Sequence, residues 1–329
     1  QSAFAALHDA ASPGTDAGAM RAVESRLIDA AHALAALTRL GGAQNANEKG
    51  SDGAGGGALV RRVRDLAARL GAPSDIHPWP APPPPFQLSF TQIKAYQECP
   101  RCWYLRYVLG LPARGSTQGN LGNVAHAALQ EFYRRFRDSE ESGTPPTAAD
   151  LHRMADGAFD RIIPAMHPES AGERARLHAQ LDAMLERLHP TTHQVIELEF
   201  PVTMPFVDSR GNAHSLFAKI DRLDLTPEGT HRVIDYKTGY GAKSLLQPSA
   251  SDLQLGIYAM ALAHHVGGDE MPPGVAEYWV LSKGESGVIA LGDLKIDKVK
   301  ATIDKAVIGM LTPPYERSKE CQGDCLLMG

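Results

Sequence analysis

The residues with the most chemical potential fall between 219 and 258. "KIDRLDL" and "VIDYKTG" each read as a strand, and the "PEGT" between them is turn-like, so the two pair as an antiparallel hairpin. Side chains on a strand alternate between faces. That rule puts Asp221 on one face with Lys219, Leu223 and Leu225, and Asp235 on one face with Val233 and Lys237. Neighbouring antiparallel strands then bring Asp221 and Asp235 close together. Two close carboxylates repel unless something positive sits between them. Mg²⁺ answers that need, because it favours carboxylate oxygen and keeps several waters. A lysine beside such an ion would position or help deprotonate a water and stabilise charge on a phosphate. An acid and a lysine at this spacing also make an ordinary surface ion pair, and spacing alone leaves both readings open.

Four cysteines form two close pairs, Cys99 with Cys102 and Cys321 with Cys325. Paired thiols of this kind suit a four-ligand metal or cluster site better than disulfides, which are rare in the cytosol. Gln254 and Tyr258 stand four apart on a predicted helix, so they share one face. His126 lies in a helical stretch, where a histidine is more often structural than a ligand. His214, His231, His264 and His265 fit no metal-ligand spacing and read as structural.

The elements that must position these groups follow from pattern. Residues 1–85 form a helical extension with a Pro/Gly-rich linker: Ala- and Leu-rich helical spacing, then "GGAQNANEKGSDGAGGGA", a second helix, and the stiff "HPWPAPPPPF". Residues 86–329 form the second domain. It opens with a helix capped by Ser89 or Thr91 and broken by Pro100 near Cys99. Helices follow over "GNLGNVAHAALQEFYRRF" and about 147–188. Strands follow in "HQVIELEFPVTMPF", "SLFAKIDRLDLT" and "HRVIDYKTG". A helix over "SASDLQLGIYAMALAHHV", strands in "VAEYWVLS" and "GVIALGDL", and a helix over about 295–309 complete the chain. This order fits a mixed central sheet flanked by helices, an α/β architecture.

Bulk properties exclude little else. The chain has 329 residues, 43% hydrophobic and 22% charged, with a net charge of −5. No apolar run approaches the 18 residues of a membrane span and no secretory signal is visible, so the expected location is cytoplasmic. The acidic balance argues against a surface coated in positive charge but not against a local basic groove. Arg134, Arg135 and Arg137 make one basic cluster, which reads first as a solvated helix face.

The second domain resembles the PD-(D/E)XK nucleases of the RecB/AddB-like group. The likeness rests on five segments in family order: "LSFTQIKAYQECPRCWYLRYVLGL", "GNLGNVAHAAL", "KIDRLD", "VIDYKTG" and "DLQLGIYAMAL". It implies a restriction-endonuclease-like fold. It also implies that His126, Asp221, Asp235 and the carbonyl of Tyr236 are metal ligands, that Lys237 is the catalytic lysine, and that Gln254 and Tyr258 act at the site as the Q-x-x-x-Y pair. The implied activity is Mg²⁺- or Mn²⁺-dependent hydrolysis of DNA phosphodiesters. The expected form is an exonuclease on single-stranded ends, within a helicase-linked repair or recombination system. A catalytically inactive DNA-binding module of the same fold is the alternative, but such a relative would typically have lost Asp235 or Lys237. No Walker-type phosphate loop is present, so a helicase motor must lie on a partner subunit or a fused domain. The resemblance further implies a [4Fe–4S] cluster on Cys99, Cys102, Cys321 and Cys325, with Zn²⁺ as the rival. The C-x₃-C spacing at Cys321 departs from the usual C-x₂-C pattern followed by a third cysteine. Either Cys102 supplies the missing ligand, or a further cysteine lies beyond Gly329.

Overall fold

The computed structural model describes residues 81–110, 117–163, 170–189, 192–239, 243–267, 270–319 and 321. The expected helical extension lies outside them apart from 81–85, as does Cys325. Among the described residues the chain runs β1 (Gln87–Ser89), α1 (Phe90–Glu98), α2 (Pro100–Trp103), a π-helical turn (Tyr104–Val108), α3 (Thr117–Ser142), α4 (Ala148–Ile162) and α5 (Ser170–Arg187). It continues with β2 (Gln194–Val207), β3 (Ala213–Leu225), β4 (His231–Lys237), α6 (Lys243–Leu246), α7 (Leu253–Val266), β5 (Gly274–Val280), β6 (Glu285–Ala290) and α8 (Ile296–Met310).

The sheet is mixed and has helices on both faces. β2 runs antiparallel along the whole of β3. The other edge of β3 is shared: β1 pairs parallel to it over Ser215–Phe217, and β4 pairs antiparallel over Arg222–Leu225. β5 lies parallel to β4, and β6 closes the sheet antiparallel to β5. One face packs Leu216, Ile220, Val233 and Ala276 against α1, α7 and α8, through Ile93, Leu255, Leu262 and Ile303. The other packs Ile234, Tyr236 and Trp279 against α3, α4 and α5, through Leu129, Phe132, Phe159 and Leu181. Burying each such side chain contributes about 1.5–3 kcal/mol, so the two layers hold the sheet from both sides.

Local chemistry sets the element ends that matter for the site. Ser89 caps α1 by accepting the Gln92 amide at 3.3 Å. Cys99 is the extended residue that ends α1, and Pro100 opens α2, where its missing N–H is not needed. The predicted break at Cys99 is therefore a corner between two helices. α7 begins at Asp252, whose carboxylate accepts the Leu255 amide at 2.9 Å. A Cβ at Gly256 would stand 2.5 Å from Val299, so glycine there lets α8 pack tightly against α7.

Candidate active site

The β3–β4 ladder ends at Arg222 opposite Ile234, one residue short of the two aspartates. There the strands part. Asp221 fills the gap by accepting the Tyr236 amide at 2.9 Å through Oδ2. The strict alternation expected through 219–225 does not hold at this point. Ile220 and Leu223 both pack into the α7-side core, so the facing slips at Asp221, and Lys219 turns outward to pair with Glu199. The neighbouring strand slips opposite it. Leu198 packs into the α3-side core and Phe200 into the α7-side core, and Glu199 between them has φ 48°. This is the left-handed region, uncommon outside glycine and costly for a long side chain.

The double slip gathers a cluster. His126 Nδ1 lies 3.4 Å from Glu199 Oε1 and 3.5 Å from Asp221 Oδ2. One ligand atom from each of His126, Glu199 and Asp221 lies within 4.8 Å of the others. The other ring nitrogen of His126, Nε2, is 3.1 Å from the Tyr236 carbonyl. Both nitrogens thus face acceptors. Burial alone would lower the His126 pKa, but the carboxylates of Asp221 and Glu199 outweigh it and push the value up to about 10.

Asp235 is 1% exposed and held by three side chains. Gln254 Nε2 donates to its Oδ1 at 2.6 Å and Tyr258 OH donates at 3.1 Å. Lys237 Nζ lies 2.5 Å from Oδ2 and donates to Gln254 Oε1 at 2.9 Å. The Gln254–Tyr258 face therefore braces the acid and the lysine. Burial pushes the Asp235 pKa up, and against the lowering charge of Lys237 and with the repulsion of Asp221 it reaches about 6.

A divalent cation fits this arrangement. Glu199, Asp221 and Asp235 bring three carboxylates to a site where Lys219 and Lys237 bring two ammonium groups. Buried Asp235 Oδ2 has no aligned hydrogen-bond donor despite the nearby lysine. The neighbouring carboxylates raise the pKa of His126, and burial with the repulsion of Asp221 raises that of Asp235, so both groups favour added positive charge. Carboxylates with one imidazole are the hard donor set that suits Mg²⁺ or Mn²⁺.

The cysteine expectation lies at the α1–α2 corner. Cys99, Cys102 and Cys321 offer sulfurs within 4.8 Å of one another, and the Sγ atoms of Cys102 and Cys321 are 3.4 Å apart. The tail reaches this corner through packing of its own: Tyr315 stacks on Tyr104 at 4.6 Å, and its carbonyl accepts from Arg101 Nε at 3.4 Å. Three thiols can hold a metal here, and Cys325 lies outside the described residues.

Residues 87–327 match the family model described as "PD-(D/E)XK nuclease superfamily". The chain belongs to that superfamily. The parting of β3 and β4, where Asp221, Asp235 and Lys237 stand, lies within the matched span. Two curated relatives are each named as a subunit of an ATP-dependent helicase/deoxyribonuclease. The one from Moorella thermoacetica is 26% identical over 208 residues, 55% of this chain and 17% of the relative. The one from Carboxydothermus hydrogenoformans is 22% identical over 222 residues, 58% of this chain and 20% of the relative. The matches thus span about a fifth of those longer proteins. They agree with the RecB/AddB-like placement within the superfamily. A solved structure described as "Crystal structure of SSO0001" covers 69% of this chain and 87% of that chain at 14% identity, with a TM-score of 0.28.

Sequence reasoning missed Glu199, Asp252 and Tyr278. Tyr278 lies opposite Asp235 on β5, places its ring 5.2 Å from Lys237 Nζ, and donates to Asp252 Oδ1 at 2.8 Å. Each of these residues looks ordinary in its own segment. Strand pairing brings Glu199 and Tyr278 to the site, and Asp252 arrives as the cap of α7.

His214, expected to be structural, is buried between Asp208 and the Phe86 amide, 3.2 Å and 3.1 Å away. No helix among the described residues is long and apolar enough to cross a membrane.

Proposed function

We propose that residues 86–329 form a metal-dependent deoxyribonuclease domain that hydrolyses phosphodiester bonds, acting as an exonuclease on single-stranded DNA ends. The observation that carries this reading is the buried Asp235–Lys237 ion pair, whose Asp235 Oδ2 has no aligned hydrogen bond, together with the His126–Asp221 pair. His126, Asp221 and Asp235 would hold Mg²⁺ or Mn²⁺, and the Tyr236 carbonyl, which the resemblance counts with them, stands 3.1 Å from His126 Nε2. Bound there, the cation supplies Lewis acidity toward the phosphoryl oxygen and a lowered pKa for a coordinated water. Lys237 holds the attacking water and offsets charge that develops on the phosphate. Gln254 keeps the lysine pointed by accepting a hydrogen bond from it, and with Tyr258 it fixes the Asp235 rotamer.

The names of the curated relatives support a place in a helicase-linked repair or recombination system. A motor on a partner subunit or fused domain would feed a single strand to the site. The inactive-module alternative is disfavoured by the presence of both Asp235 and Lys237. The cysteines would hold a [4Fe–4S] cluster, with Zn²⁺ as the rival. Its role is structural, tying the residues near Cys99 to the C-terminal tail. The soluble, cytoplasmic setting of such systems is part of the same proposal.

The test is digestion of end-labelled single-stranded DNA with Mg²⁺ or Mn²⁺, comparing the wild type with Asp235→Ala and Lys237→Ala. Cleavage that needs metal and disappears in both variants supports the assignment. Cleavage unchanged in both overturns it. Anaerobically purified protein with broad visible absorbance and bound iron supports the cluster, and colourless protein with stoichiometric zinc supports the rival.

A further inference from the structure

Glu199 has no place in the ligand set implied by the resemblance, yet the chain goes to conformational expense to aim it at the site. It is the described non-glycine residue with φ in the left-handed region. It sits where the facing of β2 slips, opposite the slip of β3 at Asp221. With the slip, Oε1 comes to 3.4 Å from His126 Nδ1, the nitrogen that also faces Asp221 Oδ2. Oε2 meanwhile is tied by Lys219, which is half exposed. Glu199 is itself 12% exposed in its side chain, so the pairing is at the mouth of the site and not in bulk water.

An acidic cluster alone would not make a ligand site. The independent observation is Asp235, 1% exposed, whose Oδ2 has the Lys237 ammonium beside it but no aligned hydrogen bond. The Tyr236 carbonyl has a separate position: it faces Nε2 of His126, not Nδ1. A metal-bound histidine usually donates its other ring N–H to a carbonyl or carboxylate, which fixes its orientation. The ring thus has one nitrogen oriented by backbone and the other turned to two carboxylates.

We propose that Glu199 is an additional ligand of the divalent cation, binding it together with His126 Nδ1 and Asp221, and that the slip in β2 exists to place it there. The inference rests on the metal-dependent reading above and adds a residue to it. Lys219 then acts as a competitor for the Glu199 carboxylate, and the Tyr236 carbonyl acts first by orienting the His126 ring.

The experiment is calorimetric titration of Mn²⁺ into the full chain, without DNA, for the wild type, Glu199→Gln, Glu199→Asn and Lys219→Met. Asparagine tolerates positive φ, so Glu199→Asn guards against a misfolded variant, and a melt of each metal-free protein checks the fold. The proposal expects both Glu199 variants to bind Mn²⁺ about tenfold or more weakly, the scale on which groups that support a metal site act. It expects Lys219→Met to bind as tightly as the wild type or more so. Wild-type affinity in both Glu199 variants overturns it. Equal weakening in Lys219→Met overturns it too, because Glu199 would then matter only through its ion pair. The two proposals fail in distinguishable ways. If Asp235→Ala abolishes cleavage while the Glu199 variants bind Mn²⁺ normally, the nuclease reading stands without Glu199. If the wild type binds no Mn²⁺, both fall.

Discussion

Strand β4 carries buried charge on both of its faces, and the two faces solve the problem differently. On the α3 side, Arg232 grips Glu277 with two hydrogen bonds, Nε to Oε1 at 2.5 Å and Nη2 to Oε2 at 2.8 Å. Beside it, fully buried Arg222 forks onto Asp224 and lies 3.8 Å from the Tyr133 ring. Trp279 adds an indole N–H to Glu277 at 3.1 Å. Two guanidinium groups meet two carboxylates there. On the α7 side, Asp235 and Lys237 join Asp221, Glu199 and Lys219, and carboxylates outnumber ammonium groups. The histidines report the difference. Burial and the Arg222 charge hold His189 down to about 4, whereas carboxylates push His126 up to about 10. Buried charge alone therefore does not mark a functional site. Buried charge that remains unbalanced makes a candidate, because it asks for something the chain does not supply.

The comparison breaks most visibly if substitutions on the two faces fail to separate chemistry from folding. Lys237→Ala is expected to lower cleavage of single-stranded DNA by about 10²–10⁴-fold, the range for a lost proton-transfer group. Asp235→Asn should abolish cleavage while leaving the metal-free melting temperature at or above that of the wild type, because it relieves repulsion with Asp221. Kinetics and a thermal melt on the same samples check both statements. On the balanced face, Asp224→Asn leaves the fully buried Arg222 without its counter-charge. Breaking a buried pair in this way costs about 3–5 kcal/mol. The melting temperature should fall by several degrees, with Mn²⁺ affinity unchanged below the transition. A stable Asp224→Asn protein, or an unfolded Asp235→Asn protein, would dissolve the contrast.

The balance of charge is also what the sequence alone could not display. The hairpin through "PEGT", the helix break at Pro100 and the helix carrying Gln254 and Tyr258 were legible, because turn chemistry, proline geometry and i, i+4 spacing are local. That Asp235 and Lys237 share a face was legible from alternation, whereas alternation fails at Asp221, which the resemblance alone singled out. Glu199 was legible from neither. Its role depends on a slip in β2 that no local pattern in "VIELEFPV" announces, and on a register that pairs it with Asp221. The same limit hid Tyr278, which stands opposite Asp235 only because β5 pairs in parallel with β4. By pattern alone, Arg222 and Asp224 have the look of an exposed edge. Both are fully buried, with Arg222 against Tyr133 of α3 and Trp279 of β5, a consequence of layer packing.

Metal and pH together sharpen the comparison at intermediate size. In the metal-free protein, protonated His126 stabilises the fold. That contribution is full below its ordinary value of 6.5 and is lost as pH rises through about 10. Asp235 has a raised pKa, so the folded state favours its protonated form, and stability declines as pH rises from 3.8 through about 6. Both signs agree: the metal-free site becomes less favourable with rising pH. Mn²⁺ competes with those protons, so its affinity should rise from mildly acidic to alkaline pH. At 100 times its dissociation constant it should stabilise by about 2.7 kcal/mol. Melts with and without Mn²⁺ across that pH range check this. A metal effect that is flat with pH would mean that neither His126 nor Asp235 exchanges its proton for the ion.

The smallest effect belongs to a third charge cluster, which shows that burial and not charge count separates the first two. On the outer face of α3, Glu131 accepts from Arg134 at 2.9 Å and from Arg135 at 2.8 Å, and Arg134 also reaches Asp138 at 3.2 Å. These groups are largely in water, where solvent already satisfies each charge and screens the pair. Glu131→Gln should therefore shift the melting temperature by no more than ~2 °C, and added salt should erase even that shift. The arginines it releases stay hydrated, so no orphaned charge arises of the kind left by Asp224→Asn. A fall as large as that of Asp224→Asn would mean that the α3 face is covered in the working protein. Its arginines would then have to be counted with a partner surface, not as a solvated helix face.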